Sequence, residues 1–139
     1  RALYFRNTMK IQYITADLEF KSNKDLNTIV QEIGELNHPH LNQWIEDIYH
    51  VVLGGSGIDC SPEETANNFC NLIENLSLQS KKLWGTCFDK TLDIAFESGN
   101  KPNSVTYQLP IDTIKRLTEL GIGIAITIYP TGSYSNEHQ

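Results

Sequence analysis

Ile14-Thr15-Ala16-Asp17-Leu18-Glu19-Phe20 sets Ile14, Ala16, Leu18 and Phe20 on one side of an extended chain and Thr15, Asp17 and Glu19 on the other. Strict alternation of this kind is the mark of a strand with one buried and one wet face. Directly after it, Leu26, Ile29, Val30, Ile33 and Leu36 recur at helical spacing, with Ser22 and Asn23 available as caps and a break at Asn37-His38-Pro39. The switch from a period of two to a period of 3.6 predicts a strand at 11–20 and a helix over 24–36.

Further along, Trp44-Ile45 and Ile48-Tyr49 fit a helical turn, whereas Tyr49-His50-Val51-Val52-Leu53 is strand-like up to Gly54-Gly55, which places a strand at 48–53. Ser61-Pro62-Glu63-Glu64 is a helix start: serine at the cap, proline at the first helical position and glutamate three residues after the cap. Ala66, Phe69, Cys70, Ile73 and Leu76 then make one apolar stripe, predicting a helix over 62–76, with an extra turn through Lys82–Trp84. Leu92, Ile94 and Phe96 alternate with Thr91, Asp93 and Glu97, and after a turn-rich stretch Val105, Tyr107 and Leu109 repeat the pattern. This pair reads as an antiparallel hairpin of strands at 91–97 and 104–109. Pro110 opens a short helix carrying Ile111, Ile114, Leu117 and Leu120, closed at Gly121. The last strand, 122–129, lines isoleucines on one face opposite Gly123 and Ala125, and reads as central in the sheet.

The element order implies a single α+β domain over 9–130 with a mixed or antiparallel sheet. Ferredoxin-like strand-helix-strand units at either end would put the helices mainly on one face. A chain of 139 residues and 15.8 kDa can bury such a core without metal or disulfide staples. Residues 1–8 precede the single methionine, Met9, and look like a vector-derived or extension leader; 131–139 form a polar tail. No stretch has the apolar length of a secretory signal or a membrane span, so a cytoplasmic protein is expected. Three cysteines, Cys60, Cys70 and Cys87, are separated by ten and seventeen residues, which suits reduced structural thiols and not a Cys-x-x-Cys metal or redox site.

Charge is unevenly spread. The formal net charge is −6, and from Met9 to Asn75 eleven acids face only Lys10, Lys21 and Lys24, while from Leu76 onward the signs balance at six each. An acidic half opposes nucleic-acid and anionic-membrane binding and favours a basic protein partner, unless it is only a solvated surface.

Val105-Thr-Tyr-Gln-Leu-Pro-Ile-Asp-Thr-Ile-Lys-Arg-Leu-Thr-Glu-Leu-Gly-Ile-Gly-Ile-Ala-Ile-Thr-Ile-Tyr-Pro130 resembles the closing helix and strand of the bacterial domain of unknown function family 4279. The resemblance is at motif level over 109–130 and in element order over 10–130. It implies an α+β fold, a bacterial origin and occasional genomic company among toxin-immunity genes, and it carries over no catalytic residue.

Catalytic and ligand motifs are weak. Gly54-Gly55-Ser56-Gly57 lacks the Gly-Lys-Ser/Thr of a phosphate loop and the third glycine of a dinucleotide fingerprint, so a structural turn is expected. In His38-Pro39-His40 the proline forbids a helical ligand pair, and a loop or solvent role is expected for these histidines. No Gly-x-Ser-x-Gly elbow occurs, and the adjacent acids Glu46-Asp47 and Glu63-Glu64 diverge in regular structure. The expectation is therefore a non-enzymatic binding protein with no cofactor, no metal, no nucleic acid and no membrane. Its most concrete form is an immunity protein that neutralises a cognate basic bacterial toxin through Glu32, Glu35, Glu46, Asp47, Asp59 and Glu63. A binding or structural domain of unknown ligand, or an enzyme whose site assembles without a local motif, are the alternatives.

Overall fold

The first alternating stretch becomes β1 (Gln12–Ser22), the middle strand of a five-stranded mixed sheet in a computed structural model that describes residues 10–34, 39–55 and 60–132. The chain continues through α1 (Asn27–Ile33), β2 (Pro39–Ile45), β3 (Ile48–Leu53), α2 (Pro62–Glu74), α3 (Leu78–Gly85), β4 (Asp89–Glu97), α4 (Ile111–Glu119) and β5 (Gly123–Tyr129). The strand order is β2-β3-β1-β4-β5; β1 is antiparallel to both β3 and β4, and β5 runs parallel to β4. The fold is a single α+β domain with its helices packed on the sheet. No helix among the described residues is long and apolar enough to cross a membrane.

Ala16, Leu18 and Phe20 are fully buried under the helices, together with Tyr49, Val51 and Leu53 of β3 and Leu92 and Ile94 of β4. Ile29 of α1, Phe69, Cys70 and Ile73 of α2, Trp84 of α3 and Leu117 of α4 close the same cluster, so the four described helices share one face. The aromatic rings of Phe20 and Trp84 meet edge-on at 5.1 Å, and the Trp84 indole donates to the Leu120 carbonyl at 3.0 Å. Burial therefore leaves no polar group of Trp84 unmatched.

Local chemistry sets the helix ends. Ser61 accepts from the Glu64 amide at 3.1 Å, with Pro62 behind it and two acids in the first turn, as its sequence demands. After α4, Gly121 (φ 74°) donates to Thr118 and Ile122 donates to Leu117 at 2.9 Å. This paired termination needs a left-handed residue, hence glycine, and buries Ile122 against the helix it closes.

Several expectations need correction. The first helix starts only at Asn27, because Ser22 is buried at the end of β1 and hydrogen-bonds Thr86 at 2.8 Å instead of capping; residues 35 and 36 of its expected end lie outside the described set. The residues around Trp44 form a strand, β2, paired as a hairpin with β3. The extra turn after α2 is a separate helix, α3, capped by Ser77, which accepts from the Ser80 amide at 3.2 Å. The expected strand at 104–109 is irregular and exposed, so β4 has no hairpin partner there and pairs with β1 instead. Finally, β5 is not central. It is an edge strand, and Ile126 and Ile128 are each 64% exposed.

Candidate functional site

The face of the sheet that none of the described helices covers collects what the alternation of β1 and β4 turns away from the core. Thr15, Asp17, Glu19 and Lys21 point there from β1, and Asp89, Thr91 and Asp93 from β4. The register sets Asp17 opposite Asp93, Glu19 opposite Thr91 and Lys21 opposite Asp89. Opposed residues on neighbouring strands hold their Cβ atoms about 5 Å apart, so two like charges become direct neighbours. Four carboxylates thus share the face, with the ammonium of Lys21 at one end of it, 3.7 Å from Asp89.

Each acid has a different setting. Asp93 accepts from the Thr127 hydroxyl of β5 at 2.7 Å, and Asp89 from Thr91 at 2.8 Å. Asp17 accepts the Gly55 amide and faces the His40 imidazole. Burial pushes the Asp17 carboxyl above the ordinary carboxylate range against the pull of His40 and Gly55, and Asp93 adds to the rise. Glu19 is raised as well, first by burial and then by Asp93 and Asp17. Farther along the same face Glu97 is fully buried, and neither of its carboxylate oxygens has a hydrogen-bond partner.

The two glycines at the end of β3 make this arrangement possible. A Cβ on Gly54 would lie 2.2 Å from His40 Nε2, and one on Gly55 would lie 2.5 Å from the Ala16 carbonyl oxygen. The Gly54-Gly55 turn is therefore demanded by close approach: Gly54 makes room for the imidazole, and Gly55 brings its amide to Asp17. His40 belongs to β2, at the point where the β2–β3 register shifts between Pro39 and Leu41. It is thus a strand residue and not a loop residue, solvent-exposed as expected and beside a carboxylate; His38 lies outside the described residues.

The acids expected to bind a partner are not gathered in one place. Glu32 ends α1 with its carboxylate engaged by the Ser77 amide, the Ser77 hydroxyl at 2.9 Å and the Ser80 hydroxyl. Those bonds, that of Ser80 foremost, hold it below the usual carboxylate range and tie α1 to the start of α3. Glu46 and Asp47 form the tip of the β2–β3 hairpin, near the Ser22 end of β1, and Glu63 sits in the first turn of α2, near the Tyr13 end. Glu35 and Asp59 lie outside the described residues. The hairpin tip has its own character: Glu46 takes a left-handed φ of 55° where glycine is favoured, and Trp44 and Ile45 beside it are exposed.

Sequence reasoning missed Asp17, Glu19, Asp89 and Asp93 as a group. The signal was present in the alternation of both strands and lacked only the knowledge that β4 pairs with β1. Among the described residues, no group of three or more His, Cys, Asp or Glu side chains is arranged to hold a metal ion. Cys70 and Cys87 are buried free thiols, with Cys87 pushed up to about 11 by burial, which makes it a poor nucleophile. No family model, curated protein or solved structure matches this chain.

Proposed function

We propose that this chain is a non-catalytic, cytoplasmic binding domain that presents the open face of its sheet to a basic protein. Its most concrete form is an immunity protein that occludes the cationic cleft of a bacterial toxin. The observation that supports this reading is the raised carboxyl of Asp17 opposite Asp93, with Glu19 beside them. Burial and like-charge proximity oppose ionisation of these groups in the isolated protein. An arriving Lys or Arg side chain would relieve that opposition, so the same charges that burden folding favour association. The acidic excess of the chain adds long-range steering toward a cationic surface. Ile45, exposed at the hairpin tip beside Glu46 and Asp47 and opposite Ile48 on the same side as the acids, offers an apolar anchor at the margin.

The test is co-expression with the product of the neighbouring gene, followed by binding measurements on purified wild type and on Asp17→Asn/Asp93→Asn. The double variant is expected to lose at least about tenfold in affinity, and raising salt from about 0.05 to 0.5 M should weaken the wild-type complex. Affinity indifferent to both changes would rule out this face as the contact. Parallel reversal of Glu46 and Asp47 to lysine separates the hairpin tip from the sheet face.

A further inference from the structure

We infer that β5 is the seam of a homodimer, in which two copies of this chain pair edge to edge and antiparallel about a two-fold axis at Ile126, giving one ten-stranded sheet. The inference rests on the edge strand alone and is independent of the acidic face.

The two edges of the sheet are built differently. β2 begins at Pro39, carries a register shift against β3 and is followed at once by the acidic turn Glu46-Asp47, devices that discourage another strand from pairing. β5 has none of these. From Gly123 to Ile128 it contains no proline and no ionisable side chain, and it runs against β4 with an unbroken register from Thr91↔Gly123 to Glu97↔Tyr129. Its isoleucines lie on the helix side of the sheet, opposite Leu92, Ile94 and Phe96, yet none of the described helices covers them: Ile124 is 42% exposed and Ile111, at the start of α4, is 67% exposed. Beside Ile126 and Ile128, Phe96, Val105 and Tyr107 line an open apolar groove of about 450 Å³.

A second copy fits this edge by its own symmetry. Antiparallel pairing centred on Ile126 sets Ile124 against Ile128 of the other copy on the apolar side. On the other side it sets Ala125 against Thr127 and the small Gly123 against the large Tyr129. A charge-free seam also suits self-association of a chain with a net charge of −6, because the two copies bring no like charges together there. A basic partner would gain nothing electrostatic from the same strand. The exposed side chains of this edge amount to several hundred Å², at the upper end of what a monomer leaves uncovered. With the strand backbone added, each copy would bury roughly 600–800 Å², the lower end of a specific interface. The dimer is accordingly of micromolar strength, and it closes, since one edge of each copy is used and the other is blunted.

Sedimentation of the full chain between about 1 and 200 μM, a span that brackets micromolar dissociation, together with hydrogen exchange at both ends of that range, tests the inference. The wild type should shift from monomer to dimer, and the amides of Ile124 to Ile128 should slow as concentration rises. Ile126→Lys should remain monomeric throughout with unchanged circular dichroism and thermal unfolding, and the milder Ile126→Thr should dissociate at higher concentration than wild type. A wild type that stays monomeric at 200 μM overturns the inference, as does a dimer indifferent to both variants. It is equally overturned if the β5 amides are already slow in the monomer at every concentration, which would assign the edge to the chain's own residues beyond Gly132. Slowing that appears only when a foreign protein is added overturns it too.

Discussion

Replacing Asp17 with asparagine should make the protein more stable while weakening the partner contact proposed for this face. The asparagine side chain is nearly isosteric and can still accept the Gly55 amide, so the change removes charge with little else. What is removed is a carboxylate that burial disfavours, set opposite Asp93 and pulled back by His40. Two carboxylates on opposed strand positions lie roughly 6 Å apart, and at an effective dielectric between about 20 and 80 they repel by about 0.7–2.8 kcal/mol. Asp17 is only partly buried and the attraction of His40 is lost with its charge. Screening and this offset bring the net gain to about 0.5–1 kcal/mol, or a Tm rise of roughly 2–5 °C for a chain of this size. The pH dependence gives the sharper signature. A folded-state pKa raised above the unfolded value means that the native state takes up protons first, so this group's penalty is complete at neutral pH. Stability is recovered as pH falls through the folded pKa, and the recovery is complete below the unfolded pKa. Urea titrations of wild type and variant from pH 8 to pH 4 should therefore show the variant's advantage shrinking steadily with acidification, the wild type catching up. An advantage that is absent at neutral pH, or that grows as pH falls, would falsify the assignment of Asp17 as an opposed charge.

Other perturbations probe the frame around that face. Phe69, buried in α2, should cost about 3–5 kcal/mol when cut to alanine, measured by urea unfolding; a loss under about 1 kcal/mol would mean that this helix face is not packed as described. Gly55→Ala forces a Cβ against the Ala16 backbone carbonyl and should destabilise by about 1–3 kcal/mol, whereas Gly54→Ala meets only the exposed His40 ring and should cost much less while moving the His40 ring resonances seen by NMR. Cys87, buried and pushed up to about 11, should resist maleimide at pH 7.5 in the folded protein and react on unfolding; rapid labelling of the native protein at this position would contradict the burial.

How much of this was legible in the sequence depended on whether an element announces itself locally. The alternation of Ile14 to Phe20, the capped start at Ser61-Pro62 and the glycine stop at Gly121 each carry their structural cause within a few residues, and each is found where it was expected. The misplaced elements are those settled by partners far along the chain. Val105, Tyr107 and Leu109 alternate like a strand, but β1 and β5 already occupy both sides of β4, so β4 has no edge left to form the expected hairpin with them. Trp44-Ile45 sits in a stretch whose period is ambiguous, and pairing with Tyr49 and Ile48 decides for strand. The isoleucine row of β5 suggests a central strand because apolar continuity usually signals burial; here it marks an edge left uncovered. The candidate site suffered in the same way. Asp17 and Asp93 were each visible as outward-facing acids, but only the β1–β4 register, 76 positions apart in sequence, makes them neighbours.

Four carboxylates of this protein fall into two kinds, according to what surrounds them. Glu32 and Glu74 are lowered by hydrogen bonds to specific partners: Glu32 takes up the Ser80 hydroxyl and the Ser77 amide, and Glu74 pairs with Arg116 through two bonds of 3.1 and 2.7 Å. Each ties two helices together, α1 to α3 and α2 to α4, and favours the native state by being charged. Asp17 and Glu19 are raised, chiefly by burial, and favour the native state by being neutral. On acidification the second kind is relieved before the first is lost, because raised values are crossed first as pH falls. Selection for stability alone would remove charges of the second kind, as asparagine and glutamine fit the same places on a strand. Their presence side by side on a sheet face that no described helix covers is what the proposed contact with a cationic partner would use.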